Sequence, residues 1–510
     1  MANSDFLPGI NAILNDQGLK IGPPPAGPKV TLLGITSNTG IPLNEPVTVS
    51  SVEKAINSLW FSGVSSTTPF PGELSRAIEE ASSAGANNIE IMVINNPIGL
   101  ALESYISPTG TSTGRFMDLS GAYDILKNRD VDAVVPVGVY MDDSNLSTDQ
   151  DFGKQLADFC FQTTKEQNAA YGIISLPPVV HWALQHELAI TGSAGLTNVS
   201  TEVSGLAGGS SIVDTKNLFF TAPSTTLVSE WFKYFTNTST LAFSEYTTFY
   251  SNFMSGSYDT LGRRFANAPN SSAVSTNYLT SWQADNTDGT KAKDGRDIKV
   301  DAGAYLSVLA SPLKASSTQA KDLAAEYGAS IGSTSYNTDG VASYAGLTNS
   351  LAPHSATTNK FMGGVFPLKL LSRSQANTLT GMRLVTMYNR AKGFVIAKDT
   401  TGAHNVNKFV RSDYVLLTTV RIVHTAVDLI RAVAEDFLGE PNNAPQMNAL
   451  SNEIDQVLLS MKGSALNDYD FVLTSTPEQR VLGELSIDLT LVPAFEILTI
   501  DLTVSLAKSI

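Results

Sequence analysis

The sequence predicts an α/β protein built on a mostly parallel sheet. It also predicts a polar insertion, a smaller α+β domain and an extended β arm at each end. Three observations carry this expectation. First, apolar runs at residues 30–36, 89–94, 133–140 and 172–176 alternate with amphipathic segments. Strands that read as continuous apolar runs are those covered by helices on both faces. Second, residues 191–296 are rich in Ser, Thr, Asn and Gly and interrupt that alternation. Third, the period changes to two near the end of the chain. Leu485, Ile487, Leu489 and Leu491 alternate with polar residues there, and Leu498, Ile500, Leu502, Val504 and Leu506 repeat the pattern. Period two means strands with one buried face.

The elements follow in order. Residues 1–28 form a candidate N-terminal arm, with Ile10, Ile13 and Leu14 as its apolar positions. Pro23-Pro24-Pro25 favours a stiff, extended spacer ahead of the body. A first buried strand covers 30–36. Ser50 and Glu53 stand three apart before an apolar run, a capping-box pattern for a helix reaching Trp60. Helices are expected at 73–84, 119–127 and 149–169, with strands at 89–94, 133–140 and 172–176 between and after them. The α/β domain is thus 29–190 and 297–367, with 191–296 inserted as a surface-facing module. Residues 299–309 regain strand-like apolar content, and a Gly- and Ser-rich passage at 328–353 leads to the last domain, 368–492. That domain is expected to hold a helix at 374–380, strands at 384–388 and 393–397, and helices at 412–438 and 447–461. Gly439 and Gly463 end the two long helices. The terminal strands close the domain, and 493–510 form the C-terminal arm.

Composition narrows the function. The chain has 510 residues, is 42% hydrophobic and 16% charged, and carries a formal net charge of −15. Such acidity argues against a nucleic-acid binder, which needs clustered Lys and Arg. The last quarter is nearly neutral, with 13 basic and 15 acidic residues from Leu368 on, which suits packing against protein. No apolar run is long enough to span a membrane. Residues 1–9, MANSDFLPG, have no basic segment followed by an apolar one, so the expectation is synthesis and folding in a cytoplasm. The one cysteine, Cys160, shares an apolar helix face with Leu156 and Phe159 and reads as a core thiol.

The search for catalytic motifs gives little. His181 and His186 in HWALQHE are five apart, not the four that place two imidazoles on one helix face for zinc. No GxSxG elbow or phosphate loop is present, and GITSNTG at 34–40 lacks the lysine of such a loop. No cofactor, metal or catalytic residue is expected. Arg421, Arg431 and Lys462 are basic positions that either face an acidic partner or sit as exposed helix charges.

In its order and phrasing the chain resembles the sheath proteins of contractile phage tails and related injection systems. The residues that carry the resemblance are Pro46-Val47-Thr48-Val49 before a helix, VASYAGLTNSLAPHSATTNKFM at 341–362, Gly393-Phe394-Val395-Ile396, Arg421 in a long helix, FLGEPNN at 437–443, and Pro493-Ala494-Phe495-Glu496. The resemblance implies a structural subunit of a virion tail, assembled in the host cytoplasm as stacked hexameric rings around a tail tube. It implies baseplate and tail-terminator partners, and contraction that drives the tube through an envelope. It also implies an α/β domain likened to subtilisin without a working triad, and terminal arms that add strands to neighbouring subunits. The other reading is a cytoplasmic α/β hydrolase with an unrecognised site.

The C-terminal arm can be weighed directly. Burying Leu498, Ile500, Leu502, Val504 and Leu506 yields roughly 7–15 kcal/mol in all. Ordering about nine backbone residues costs roughly 9–18 kcal/mol. The terms nearly cancel, so one arm holds weakly and many arms in a closed lattice hold strongly.

Overall fold

The computed structural model describes residues 28–36, 38, 40–59, 61–62, 69–70, 73–95, 119–138, 152–166, 168–175, 302–310, 313–316, 335–367, 371, 373–381, 383–391, 393–403, 413–496 and 498. The insertion, most of both arms, and His181 and His186 lie outside the described residues.

A sheet of seven strands organises the first unit. In chain order these are β1 (Val30–Ile35), β2 (Pro46–Thr48), β5 (Ile89–Asn95), β6 (Ala133–Pro136), β7 (Tyr171–Ser175), β8 (Leu306–Leu309) and β12 (Leu384–Val385). A short pair, β3 (Phe61–Ser62) and β4 (Pro69–Phe70), stands apart from it. The spatial order is β12-β8-β7-β6-β1-β5-β2. All neighbours run parallel except β2, which is antiparallel to β5 at one edge. Starting from β1, the chain places its second parallel strand on one side and the next four on the other, the order of a doubly wound sheet. Leu32 sits level with Ile91 on one side and Val135 on the other. β6 stops at Pro136, short of residue 140, because the chain turns at Gly138 with φ 78°.

Helices cover both faces. On one side lie α1 (Val52–Ser58), α2 (Glu73–Ser83) and, from much later in the chain, the helix at Val341–Ser350. Their core joins Ile78 and Ala81 to Val30, Leu32, Ile91 and Val135. On the other side are α3 (Ser120–Leu126) and α4 (Phe152–Glu166), where the rings of Tyr123 and Phe159 stack at 4.5 Å. α4 lies close on β7 because Gly172 has no side chain there. A Cβ at Gly172 would fall 2.4 Å from Leu156 Cγ. Cys160 is fully buried on α4 beside buried Leu156 and Phe159, as its helix-face position predicts.

Three expectations need correction. The passage at 328–353 reads as a Gly- and Ser-rich lead to the last domain, without elements of its own, yet its described part packs into the first core. It holds β10 (Ser335–Thr338) and α5 (Val341–Ser350), with every α5 residue from Val341 to Asn349 buried. β10 belongs to a small sheet, β10-β9-β11, with β9 at Leu313–Ser316 and β11 at Val365–Pro367. Small residues let α5 sit against α2, and a helix buried all round shows no amphipathic stripe to read. Second, Ser50 and Glu53 do not form a capping box. α1 begins at Val52, and its N-cap Ser51 makes no side-chain cap bond. The capping box in the described structure is Thr476 with Gln479, which opens a short helix at Pro477–Leu482. Thr476 Oγ1 accepts from Gln479 N at 3.2 Å, and Gln479 Oε1 accepts from Thr476 N at 2.8 Å. Third, 384–388 is not one strand. After α6 (Arg373–Gly381), β12 joins the large sheet, whereas β13 (Met387–Arg390) pairs with β14 (Gly393–Ile396).

The second unit packs α7 (Leu417–Glu435) and α8 (Ala444–Met461) on a two-stranded ribbon, β15 (Leu466–Thr474) and β16 (Ser486–Pro493). The capped helix between the two strands is α9 (Pro477–Leu482). Two hydrophobic cores among the described residues meet along α7. Leu417 and Val420 pack into the first core, and Ile422, Ala426 and Ile430 pack with Leu450, Ile454 and Leu458 in the second. Buried Asp399 serves the start of α7, accepting from Thr418 N at 3.1 Å and from Tyr344 Oη at 2.8 Å. A carboxylate at a helix N-terminus meets unpaired donors and the positive end of the dipole.

Candidate assembly surface

The ribbon β15–β16 follows from its alternating sequence. Tyr469, Phe471, Leu473, Ile487, Leu489 and Leu491 face α7 and α8 and are half-buried. Asp470, Val472, Thr474, Asp488, Thr490 and Val492 point outward and are exposed. Phe471 pairs with Leu489, and Leu473 with Ile487. Among the described residues the ribbon has two strands only, so each strand has an outer edge with no ladder partner. A two-stranded ribbon is marginal alone and gains from an added strand. Open edges are the ready template for such addition.

Local contacts fix one end of the ribbon. Lys462 Nζ donates to Asp468 Oδ1 at 2.7 Å and stands 5.5 Å over the Tyr469 ring. That hydrogen bond holds the Asp468 carboxyl below its ordinary range. Tyr469 Oη donates to Asp455 Oδ1 at 2.8 Å, which ties β15 to α8. At the same end Ala494 N donates to Ala465 O at 2.9 Å, after which Phe495 and Leu498 stand exposed.

The sequence-derived site residues fall in different places. Leu498 is exposed beyond β16. Ile10, Ile13, Leu14, Ile500, Leu502, Val504 and Leu506 lie outside the described residues. Lys462 is exposed and engaged with Asp468. Arg431 donates to Thr164 O at 2.6 Å and pairs with Asp428 at 3.7 Å, linking α7 to the end of α4. Arg421 is not at the surface. It is 5% exposed, and its guanidinium donates to Leu351 O at 2.5 Å and Ser355 O at 3.3 Å. It pins α7 to the chain that leaves α5, which takes the guanidinium off the surface.

The titratable core is structural in character. Burial lowers His424 to about 3, with the Arg431 charge adding to the effect, and its ring stacks on Tyr305 at 5.5 Å. Burial raises Asp132, Asp339 and Asp428 to about 6. Burial also pushes the Cys160 thiol well above its ordinary range, the opposite of what a nucleophile needs. Among the described residues no group of three or more His, Cys, Asp or Glu is placed to hold a metal ion. Among them, too, no helix is long and apolar enough to cross a membrane.

The fold as a whole, a doubly wound sheet joined through one long helix to a two-helix, two-strand unit, is similar to that of a chain solved in a contractile assembly. The particular likeness is to a chain of the anti-feeding prophage baseplate in its contracted state. It spans 100% of this chain and 100% of that one, at 11% identity and a TM-score of 0.51. An extracellular contractile injection system, the PVC sheath complex in its contracted state, aligns over 99% of this chain and 98% of its own, at 12% identity and a TM-score of 0.49. The sheath tail protein of Desulfitobacterium hafniense aligns over 95% and 100%, at 8% identity and a TM-score of 0.45. At these identities the likeness is one of fold. No protein-family model matches the sequence. No curated protein matches it either.

Proposed function

We propose that this chain is the structural subunit of a contractile tail sheath. The observation that carries the reading is the fold shared over the whole chain with a component of a contractile machine. The ribbon, whose two edges have no ladder partner among the described residues, supports it, since strand addition between subunits needs such edges. In this reading the subunits stack as hexameric rings around a tail tube, between a baseplate and a terminator. Contraction then drives the tube through an envelope. The particle is a virion tail or a related injection device, assembled in a host cytoplasm. The α/β unit, subtilisin-like in outline, serves as scaffold and carries no catalysis. Residues 191–296 face outward, and the arms, 1–28 and 493–510, add strands to ribbons of neighbouring copies.

Negative-stain microscopy of purified protein is the direct test. Hollow tubes or rings are expected, and uniform monomers at all concentrations would overturn the reading. The arms are tested by truncation after Val492, which should leave a folded, soluble subunit that does not polymerise. Loss of its cooperative thermal transition would place the last strand in the chain's own sheet.

A further inference from the structure

A groove of about 430 Å³ opens at the far end of the ribbon, where α7 ends, α8 begins and β16 starts. Phe437, Leu438, Met447, Leu450, Leu485 and Ile487 line it. The concavity is built by the turn between the helices. Gly439 ends α7 at φ 91°, and Pro441 follows. Asn443 caps α8 by accepting from Gln446 N at 3.1 Å. Asn442 Nδ2 donates to Ser475 Oγ at 3.0 Å and Glu484 O at 3.2 Å, fastening the turn to the ribbon tip. Leu438 is 79% exposed within the groove, and Val481 and Leu482 extend exposed apolar surface over α9.

The opposite end of the same ribbon carries the complement. Phe495 is 56% exposed and Leu498 53% exposed, three positions apart just past Pro493. Between the two ends lies β16, eight residues long, which at about 3.3 Å per residue is roughly 26 Å. β16 is ladder-bonded to β15 along its length and cannot fold back. A chain therefore cannot seat its own Phe495 in its own groove.

We infer that the groove receives Phe495, with Leu498 beside it, from a second copy of this chain. An aromatic anchor entering an apolar pocket is the usual form of a strong interface contact. The contact joins unlike patches; taken head to tail, as the sheath reading requires, it repeats from copy to copy and builds rings or helical rows, whereas a reciprocal two-fold exchange would close a dimer. The inference deepens the sheath reading by naming one inter-subunit contact, and it rests on that reading for the lattice in which the contact repeats.

Cysteine cross-linking in the full chain tests it. Leu438→Cys and Phe495→Cys both replace exposed side chains, and Cys160 is buried in every copy. Oxidising a mixture of the two variants should give a disulfide-linked dimer that neither variant gives alone. The chain carrying both should give a ladder of multimers. A ladder without tubes would keep this contact and sink the sheath reading, whereas tubes without any cross-link would do the reverse. Dimers from Leu438→Cys alone would mean a two-fold contact and overturn the proposal. So would a cross-link from Leu438→Cys to Ile10→Cys in place of Phe495→Cys, which would give the groove to the N-terminal arm. Absence of cross-link and polymer together also overturns it. Phe495→Ser should raise the concentration needed for association roughly tenfold or more, and an unchanged concentration would count against the contact.

Discussion

Gly346→Ala is expected to destabilise the protein, although alanine is the better helix former. Gly346 lies in α5, where an added Cβ would stand 2.3 Å from the Ala81 carbonyl oxygen and 3.0 Å from Ala81 C and Cα. Those are backbone atoms of α2, so no rotamer change relieves the overlap. The helices would have to part by roughly 1 Å, against a core in which Ile78, Ala81, Tyr344 and Ala345 are wholly buried. Overpacking of this kind costs about 1–3 kcal/mol, and parting the helices also forfeits dispersion contacts along the pair. The gain in helix propensity is at most about 1 kcal/mol. The clash therefore wins by about 1–2 kcal/mol. Gly381→Ala, in α6, is the control. Nothing lies within 4 Å of its Cβ position, so it should be neutral or stabilising by up to about 1 kcal/mol. Urea unfolding followed by circular dichroism reads both variants. A Gly346→Ala midpoint equal to or above that of the parent would refute the packing argument.

Further outcomes can be measured in the same assay. Asp399→Ala leaves Tyr344 Oη and Thr418 N buried without their acceptor, so a loss of about 2–4 kcal/mol is expected; an unchanged midpoint would mean the contacts contribute nothing. Burial raises Asp132 to about 6 from 3.8, so the folded chain holds that proton more tightly than the unfolded chain. Its contribution to stability therefore grows as pH falls from about 6 toward 4. Asp132→Asn should compare best with the parent at pH 7 and lose that advantage by pH 4.5, and a gap independent of pH would sink the assignment. His424 has the opposite sign. Its folded value is about 3 against 6.5, so stability is lost as pH falls from about 6.5 toward 3, and His424→Phe should flatten that acid limb. Lys462→Ala removes an exposed pair and should change stability by less than about 1 kcal/mol; a larger loss would show that the pair is part of the ribbon's fold.

The central parallel strands of the large sheet were legible because they are largely apolar runs, Glu90 in β5 being the charged exception, and Cys160 was legible from its helix face; the two-residue β12 was not. α5 was not. Ala342, Ser343, Ala345, Gly346 and Thr348 are small or polar, and a fully buried helix carries no period to distinguish it from a loop. β15 carries the same alternation as β16, in Tyr469, Phe471 and Leu473. A register shift between Leu466 and Asp468 hides its start, and two adjacent exposed polar residues, Asn467 and Asp468, precede the pattern. Arg421 misled for another reason. Its partners are main-chain oxygens 66 and 70 residues earlier, and no local pattern of charges announces a bond to a distant carbonyl. Of the assembly surface, the apolar face of β16 was readable in advance. The groove was not, because it arises from two helix ends and a strand meeting in space.

α7 belongs to both cores at once. Its first turn is held by Asp399, its second by Arg421, and its later turns by Asp428 and Arg431 against α4 and the loop that follows it. The helix that opens the second unit is thus fastened to the first at three points along its length. On the sheath reading proposed above, a subunit of this kind would act as a stiff link, and any movement of the lattice would be taken up between copies and not by softness of the fold.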